Sequence, residues 1–586
     1  MIGFFLSGYS SESQNINPIS DFLYPEEEIT EIRVQIEEED NRMLHAEENR
    51  FIDIYVEAGI TISNSKLDNV TLDNAGIRLR GNSSRNNDKR SYKIDFREFG
   101  GEKFESYKKL NLKPNVFDPS HIRELISMHL YRLLNVPAQR VAPSILYIND
   151  EYKGVYLNLE QIDDEFIKKR FGSKEGFLYK CGQGMTLAYQ EEVYDDKKIS
   201  SKMNEDSDDR KELSHLIDVL NNTSDANFKK EIEKNFNVNS FIRQMAVEAI
   251  IGNWDGYSWF NNNYYLYYNP NSMKFEFIPY DADNTFGVDF TGNDWGIRDL
   301  KHFYRFDNER PLVGRILDVE VYKDSYYQYL NILMEEYFIE NYLFTKFNFY
   351  RELLKVHVQN DTYFSGTFGF RYQDFINAFE YESKKPATYG LKEYVETRRQ
   401  SGINQLPKNM YSLIKLNPKT FNLAEKLPSG FLVGTIIDGE TLPYTYSIIH
   451  GNESNAFSLD KIYGTLSVSN SAALDFEISP IFNLLITASD GYWTDTTTVT
   501  INLIDTEEEI LSLANSSQII YPNPSSGSIN IRMADLKEFM IYNLSGKMLL
   551  KSNENPVNIS EWRQGAYIMK LTNNKGKLYS RKIIKK

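Results

Sequence analysis

Three short runs carry most of the residues able to do chemistry: Asn253-Trp254-Asp255, Asn261-Asn262-Asn263 and Asp281-Ala282-Asp283-Asn284. Carboxylates and amide oxygens are hard donors suited to a hard divalent cation. One carboxylate can accept the proton of an attacking hydroxyl while a second, with an amide oxygen, holds Mg²⁺ against a triphosphate, the division of labour of phosphoryl transfer. The same residue types also build ordinary turns, so composition alone leaves both readings standing.

The elements needed to bring these runs together are legible. Ser240 to Ile251 is an apolar, helix-compatible run that ends at Gly252, a helix stop. Tyr264 to Tyr268 and Lys274 to Ile278 read as two strands joined by Asn269-Pro270-Asn271. A hairpin returns its second end to its first, so Asp255, Asn263 and Asp281 are expected in one cleft.

Asn253-Trp254-Asp255, Asn263-Tyr264-Tyr265-Leu266-Tyr267 and Pro279-Tyr280-Asp281-Ala282-Asp283-Asn284-Thr285-Phe286-Gly287 resemble the core of the spore coat protein H (CotH) kinase family, a secreted branch of atypical protein kinases. That resemblance implies that Asp255 is the catalytic carboxylate and Asp281 the metal ligand, with Asp283 and Asn263 as further metal contacts. The triple asparagine leaves Asn262 competing with Asn263. It implies ATP and Mg²⁺ (or Mn²⁺) as cofactors.

Upstream, Gly76 to Arg85 reads as a strand carrying Arg78 and Arg80 on one side, then a Gly-Asn-Ser-Ser turn; Ser91 to Phe96 is its partner strand. Turns of that kind can bring backbone N–H groups close to phosphate. The family shares this pattern, and by it Ser83 and Ser84 would lie over the nucleotide, with Arg78 nearby and Lys93 on the α/β-phosphates. Asp118-Pro119-Ser120 opens a helix whose stripe is Ile122, Leu125, Ile126, His129, Leu130 and Leu133. Glu124, beside that stripe, is the candidate to orient the lysine, against the alternative of a surface pair with Arg123. Ser144–Asn149 and Gly154–Leu159 are expected strands, and Ile32–Ile36 and Ile52–Val56 alternate as strands do. The run Leu159-Glu160-Gln161-Ile162-Asp163 stands where a kinase hinge would, which places adenine near Glu160 to Ile162. Lys180, ending a short strand, comes within reach of the phosphates. Residues 195–210 are expected as an exposed charged insertion. Helical runs at 322–348, 351–358, 372–383 and 395–406 complete the domain near residue 410.

Composition bounds the rest. A chain of 586 residues implies several domains, and an apolar fraction of 41% with 14% aromatics supports packed cores. The net charge of −17 excludes a general nucleic-acid binder. The lone Cys181 excludes an internal disulfide and a cysteine-based zinc site. No apolar run reaches the ~20 residues of a membrane span.

From about Phe421 the texture becomes Ser/Thr-rich with short alternating runs, as in a β-sandwich. This segment resembles a single cadherin-like repeat. The resemblance implies calcium ligands at Glu425, Asp475, Glu477, Asp490 and Asp505. The usual Asp-Xaa-Asn-Asp linker is missing, so a metal-free spacer is the alternative. The tail, from Tyr521-Pro522-Asn523-Pro524 to Lys582-Ile583-Ile584-Lys585, resembles the C-terminal sorting domain of type IX secretion. It implies export through the periplasm to the medium or cell surface, with the type IX machinery as partner. Such cargo needs a signal peptide. Met1 to Gly8 resembles the tail of one but lacks a basic region, so the true start is expected upstream.

The expected architecture is multidomain: a polar segment (1–27), an α+β atypical protein-kinase-like bilobal domain (28–410), and two all-β sandwich modules, cadherin-like (418–506) and sorting (516–586). The expected function is a secreted kinase transferring the γ-phosphate of ATP to Ser or Thr of an unidentified acceptor protein. The alternative is a surface adhesin on a kinase-like scaffold with a calcium-binding module.

Overall fold

The computed structural model describes residues 15–81, 83–188, 198–305, 310–366, 368–407, 416–437, 443–505, 520–544, 546–576 and 578–586, with the side chain of Ser83 left out. Met1 to Gly8 and residues 195–197 of the expected insertion lie outside the described residues. The chain forms two compact units: Met1–Lys415 with Glu440–Tyr444 and Ser489–Thr494, and Leu416–Gly439 with Thr445–Ala488 and Asp495–Lys586.

The first unit begins with a closed barrel in the order β1-β2-β3-β4-β5-β7-β6. Its strands are β1 (Thr30–Gln35), β2 (Val56–Asn64), β3 (Leu67–Leu79), β4 (Tyr92–Asp95), β5 (Lys109–Lys113), β6 (Val141–Ile148) and β7 (Glu151–Leu159). Alternation builds it. Ile32 and Val34, Ile60 and Ile62, Ile77 and Leu79, Ile94, Leu110 and Leu112 all turn into one buried core. At ~1.5–3 kcal/mol per buried aliphatic side chain, that alternation holds the strands in register. Closure comes from the parallel pairing of β1 with β6, Ile32 opposite Leu146.

One expectation is corrected here. Ile52 to Val56 is not a strand: β2 starts only at Val56, and Ile52 is exposed. The alternation there reflects a surface turn, not a buried face. Strand β5 pairs between β4 and β7.

Helix α1 (Glu38–His45) follows β1, α2 (Arg123–Leu133) lies between β5 and β6, and α3 (Asp164–Phe171) follows β7. A second sheet, in the order β11-β10-β8-β9, contains β8 (Phe177–Cys181), β9 (Ile199–Met203), β10 (Tyr264–Asn269) and β11 (Lys274–Pro279). Thus residues 199–203 of the expected insertion form an edge strand on β8. Helices α4 (Lys211–Asn222), α5 (Asp225–Asn235) and α6 (Val238–Ile251) lead into the β10–β11 hairpin, past the short α7 (Tyr257–Phe260). All of α6 is buried, and it stops at Gly252, whose φ of +67° is the left-handed conformation glycine adopts without strain. Helices α8 (Pro311–Leu317), α9 (Glu320–Ile332), α10 (Thr345–Gln359), α11 (Tyr372–Asn377) and α12 (Leu391–Gln405) complete the unit. The helix expected over 322–348 is interrupted by two π-helical turns, Leu333–Tyr337 and Glu340–Phe344. That expected over 372–383 ends at Asn377.

In the second unit, β12 (Lys419–Ala424), β13 (Leu432–Thr435), β14 (Thr445–His450), β15 (Phe457–Leu459), β16 (Thr465–Val468), β17 (Ile481–Ser489) and β18 (Thr494–Ile504) make two sheets, β12-β18-β17-β14 and β13-β16-β15. Two further sheets, β19-β20-β23 and β22-β21-β24-β25, comprise β19 (Ile520–Tyr521), β20 (Ser528–Ile531), β21 (Leu536–Tyr542), β22 (Met548–Ser552), β23 (Val557–Asn558), β24 (Gly565–Asn573) and β25 (Leu578–Lys585). Ile529 and Ile531 of one share a core with Phe539, Ile541, Met569, Leu571 and Ile583 of the other. Among the described residues no helix is long and apolar enough to cross a membrane.

Candidate functional site

Asp255 lies in the loop between α6 and α7. The hairpin pairs Tyr264 with Pro279, and the Tyr280 N–H donates to the Asn263 carbonyl at 3.1 Å. The strand ends therefore deliver Asn263 and Asp281 side by side. Around Asp255, three amide groups converge: Asn262 Nδ2 at 3.1 Å, Asn263 Nδ2 at 3.0 Å and Asn284 Nδ2 at 3.1 Å donate to its carboxylate. Asn262 and Asn263, which compete in the sequence for one role, both face Asp255. Burial, opposed by those amides and reinforced by Asp281 and Asp283, pushes the Asp255 carboxyl up to about 6.

Asp281 and Asp283 share one ammonium group, that of Lys113 at the end of β5. Lys113 Nζ pairs with Asp281, lies 3.0 Å from Asp283 Oδ2, and lies 2.9 Å from Glu124 Oε2. Glu124 is fully buried on α2, not a surface partner of Arg123. Arg123 is itself buried and pairs with Asp118. Asp118 Oδ2 also accepts the Arg123 N–H at 2.8 Å, which satisfies a free donor at the start of α2. The helix is fastened to the acidic loop by Ser127 Oγ and Thr285 Oγ1, 3.0 Å apart, and by Arg123 Nε donating to the Phe286 carbonyl at 3.3 Å.

Three carboxylates around one lysine leave an excess of negative charge. Burial with repulsion from Asp281 and Asp283 outweighs Lys113 and raises Glu124 to about 7. Burial likewise raises Asp283. Burial opposes ionisation of Asp281 too, but the Lys113 charge overcomes it and holds that carboxyl low. Asp281 has φ +56°, an uncommon backbone state for a residue other than glycine and one that clusters at functional sites.

Across from these acids lie cations. Arg80 donates to the Tyr280 hydroxyl at 2.9 Å and feels the fields of Asp281 and Glu124. Lys180 stacks over the Tyr280 ring, 4.9 Å from its centroid. Lys93 has no carboxylate partner among the described residues. Burial and the charges of Lys109, Arg80, Arg78 and Lys180 bring its ammonium down to about 7.

Several expected residues take other places. The lysine paired with Glu124 is Lys113, not Lys93; β4 directs Lys93 to the cation group instead. Arg78 is engaged by Asp53 at 2.7 Å and lies over the Tyr55 ring. Glu160 is buried between Arg140 and Arg170, each 2.7 Å away. Its N–H donates to the Arg140 carbonyl at 2.9 Å, and its own carbonyl accepts from Gln139. The side chain of Ile162 belongs to a core with Phe166, Leu178 and Tyr265. The Glu160 N–H is thus already committed and is not offered to adenine. Ser84 Oγ fills the space beside Gly81, 2.0 Å from where a Cβ would stand, while Asn82 and the Ser83 side chain lie outside the described residues. Lys113 was missed because β5 is short. Its signal was Lys109-Leu110-Asn111-Leu112-Lys113 followed by Pro114, one alternating turn-bounded strand.

The donor set fits a hard divalent cation. Asp281 and Asp283 supply carboxylate oxygens, a lysine ammonium already stands among them, and the buried Asn284 Oδ1 has no hydrogen-bond partner among the described residues. In the second unit, Glu425, Asp475 and Glu477 have carboxylate oxygens within 4.8 Å of one another. Asp490 is not in that group: it is buried in the Ser489–Thr494 segment and accepts the Tyr329 hydroxyl. Asp505 is exposed and also outside it.

Comparison with known proteins matches two parts of the chain to protein families. Residues 77–401, more than half of the chain, match the family described as CotH kinase protein. Residues 519–586 match the secretion system C-terminal sorting domain, which marks the chain for export by the type IX machinery to the medium or the cell surface. Inner spore coat protein H of Bacillus subtilis (strain 168) is 26% identical over 292 residues, 49% of this chain and 78% of that protein. Invasin CotH3 of Rhizopus delemar is 27% identical over 186 residues, and the match spans only 30% of that protein. Protocadherin Fat 1 of Homo sapiens is 28% identical over 151 residues, 25% of this chain and 3% of that protein. Among solved structures, the third cadherin domain of human protocadherin 7 aligns at 22% identity over 16% of this chain and 86% of that chain, with a TM-score of 0.15.

Proposed function

The chain belongs to the CotH kinase protein family, and on that premise we propose that it is an exported protein kinase that transfers the γ-phosphate of ATP to a serine or threonine hydroxyl of an acceptor protein. The observation that carries this reading is the pairing of Asp255, held by three amides, with the Asp281–Lys113–Asp283 group and with Lys93, a buried ammonium that has no carboxylate partner among the described residues. In this reading the barrel covers the nucleotide and the helical region carries the catalytic loop, the two lobes of a kinase-like domain.

Asp255 takes the proton of the acceptor hydroxyl. The acceptor oxygen forms its bond to the γ-phosphorus as the bond to the β–γ bridging oxygen breaks. Lys113 is the lysine of the ion pair with Glu124, which fixes its ammonium for the phosphate chain, while Lys93, Arg80 and Lys180 surround that chain from the barrel and the second sheet. Asp281, Asp283 and Asn284 Oδ1 would hold Mg²⁺ or Mn²⁺. The metal, when bound, supplies charge neutralisation of the phosphates.

The test is transfer of label from γ-labelled ATP by the full chain with Mg²⁺ or Mn²⁺, to itself and to a Ser-rich peptide. Asp255→Asn is expected to lower transfer by about 10²–10⁴-fold while nucleotide binding persists. Equal transfer by the variant sinks the assignment.

A second reading is favoured by the Glu425, Asp475 and Glu477 group, which suits Ca²⁺ and an adhesive role for the second unit. It predicts that millimolar Ca²⁺ raises the melting temperature of the full chain and that Glu425→Gln removes the rise. No rise in the unaltered protein would leave this unit a metal-free spacer.

A further inference from the structure

Glu248, one turn before the end of α6, has no part in the chemistry above, yet the loop bearing Asp255 is built around it. It is 1% exposed. Its carboxylate accepts Ser258 Oγ at 2.8 Å, Gln244 Nε2 at 2.8 Å and the Ser258 N–H at 3.4 Å. Its main-chain carbonyl accepts the Asn253 N–H at 3.0 Å. A Cβ on Gly256 would stand 2.0 Å from Glu248 Oε1. Both flanks of Asp255 are therefore tied to one residue: Asn253 to its carbonyl and Ser258 to its carboxylate, with Gly256 packed against that carboxylate. Gly256 is required here by that close approach, since its φ of −88° is open to any residue.

We propose that Glu248 is the positioning residue for the Asp255 base, its ionised carboxylate clasping residues 253–258 so that Asp255 faces the acceptor hydroxyl. This rests on the reading of Asp255 as base. The carboxylate accepts from all three groups at once, and a protonated or amide side chain keeps one acceptor oxygen fewer for them. Burial brings the Glu248 carboxyl up to about 7, so the clasp is lost as pH falls through that value. The charged and titratable groups that face it are Tyr131 of α2, Tyr257 of α7, Tyr326 of α9 and Arg310 just ahead of α8. Arg310 favours the ion, and the three phenols stay neutral in this range.

The experiment compares the full chain with Glu248→Gln by hydrogen exchange and by phosphate transfer. In Glu248→Gln, amides of residues 252–262 are expected to exchange about tenfold faster while α10 is unchanged. The unaltered protein should show the same loosening as pH is lowered through about 7, after correction for intrinsic exchange. Transfer should lose about tenfold in kcat with KM for ATP held within about twofold. Between pH 8 and pH 6 transfer should fall more in the unaltered protein, where Glu248 protonates, than in the variant; below pH 6 both should follow the single proton of Asp255. Loop exchange in Glu248→Gln equal to that of the unaltered protein, or raised evenly across the first unit, overturns the proposal. The two readings separate cleanly. A loosened loop in a protein that transfers no phosphate keeps the clasp and removes the kinase. Transfer that depends on Asp255 but not on Glu248 does the reverse.

Discussion

Two buried charge clusters in the first unit follow opposite rules. Around Glu160, Arg140 and Arg170 each approach within 2.7 Å, and Arg140 reaches Asp21 at 2.6 Å. Two arginines meet two carboxylates, and the carboxyls of Glu160 and Asp21 are held below their ordinary range despite burial. Around Lys113, one ammonium serves Glu124, Asp281 and Asp283, and two of those acids are pushed up. The first cluster is electrically closed and has nothing left to bind. The second has acids short of positive charge on one side and cations short of negative charge on the other, the condition in which a metal–phosphate ligand supplies what the protein lacks. Buried charge by itself does not mark a site; an unbalanced set of charges does.

Breaking the closed cluster should have the largest effect on stability. Glu160→Ala leaves two buried guanidinium groups facing each other and is expected to lower unfolding free energy by about 3–5 kcal/mol in denaturant titration. Because the folded Glu160 carboxyl lies below its unfolded value, its contribution is present above the ordinary glutamate range, about 4.3, and fades as pH falls below it. An equally stable variant would mean that this cluster is not the closed one.

The open cluster should respond to pH instead. Asp255, raised to about 6, must be ionised to accept a proton, so transfer should fall about tenfold per unit as pH drops below 6. A flat profile from pH 7 to pH 5 would remove Asp255 as the base.

Relieving the imbalance should separate stability from function. Asp283→Asn removes one of three like charges and is expected to stabilise the fold by up to about 1 kcal/mol while lowering transfer. Loss of stability in that variant would show that the ion pair with Lys113 outweighs the repulsion.

The smallest effect is the sharpest on the cation side. Lys93, brought down to about 7, is largely neutral at pH 8 and regains its charge beside phosphate. Nucleotide binding at that pH should take up a fraction of a proton, read by calorimetry in buffers of different ionisation enthalpy, and Lys93→Met should abolish the uptake. Uptake unchanged in the variant would take Lys93 out of the phosphate site.

Much of the Asp255–Asp281 cluster was legible because it is local. The helix ending at Gly252, the β10–β11 hairpin and the acidic run after it are consecutive, and a hairpin's geometry returns its ends to each other. The lysines around it were not. Lys93 and Lys113 both lie on short strands and both adjoin apolar neighbours. Nothing local says which one turns toward Glu124. Glu160 misled for a similar reason: a glutamate after a strand looks the same whether it lines a cleft or lies between two arginines distant in sequence.

The sequence by itself determined the succession of an α+β region and β-rich C-terminal segments, the export signal, and the placing of Asp255, Asp281 and Asp283 in one cleft, since each is written in contiguous residues whose spacing carries its own geometry. Only the tertiary structure decided which cation meets which acid. That choice depends on closing a seven-stranded barrel, which brings β5 against α2 and the loop after β11, and long-range electrostatics of this kind is fixed by where strands end in space rather than by the order in which they are written.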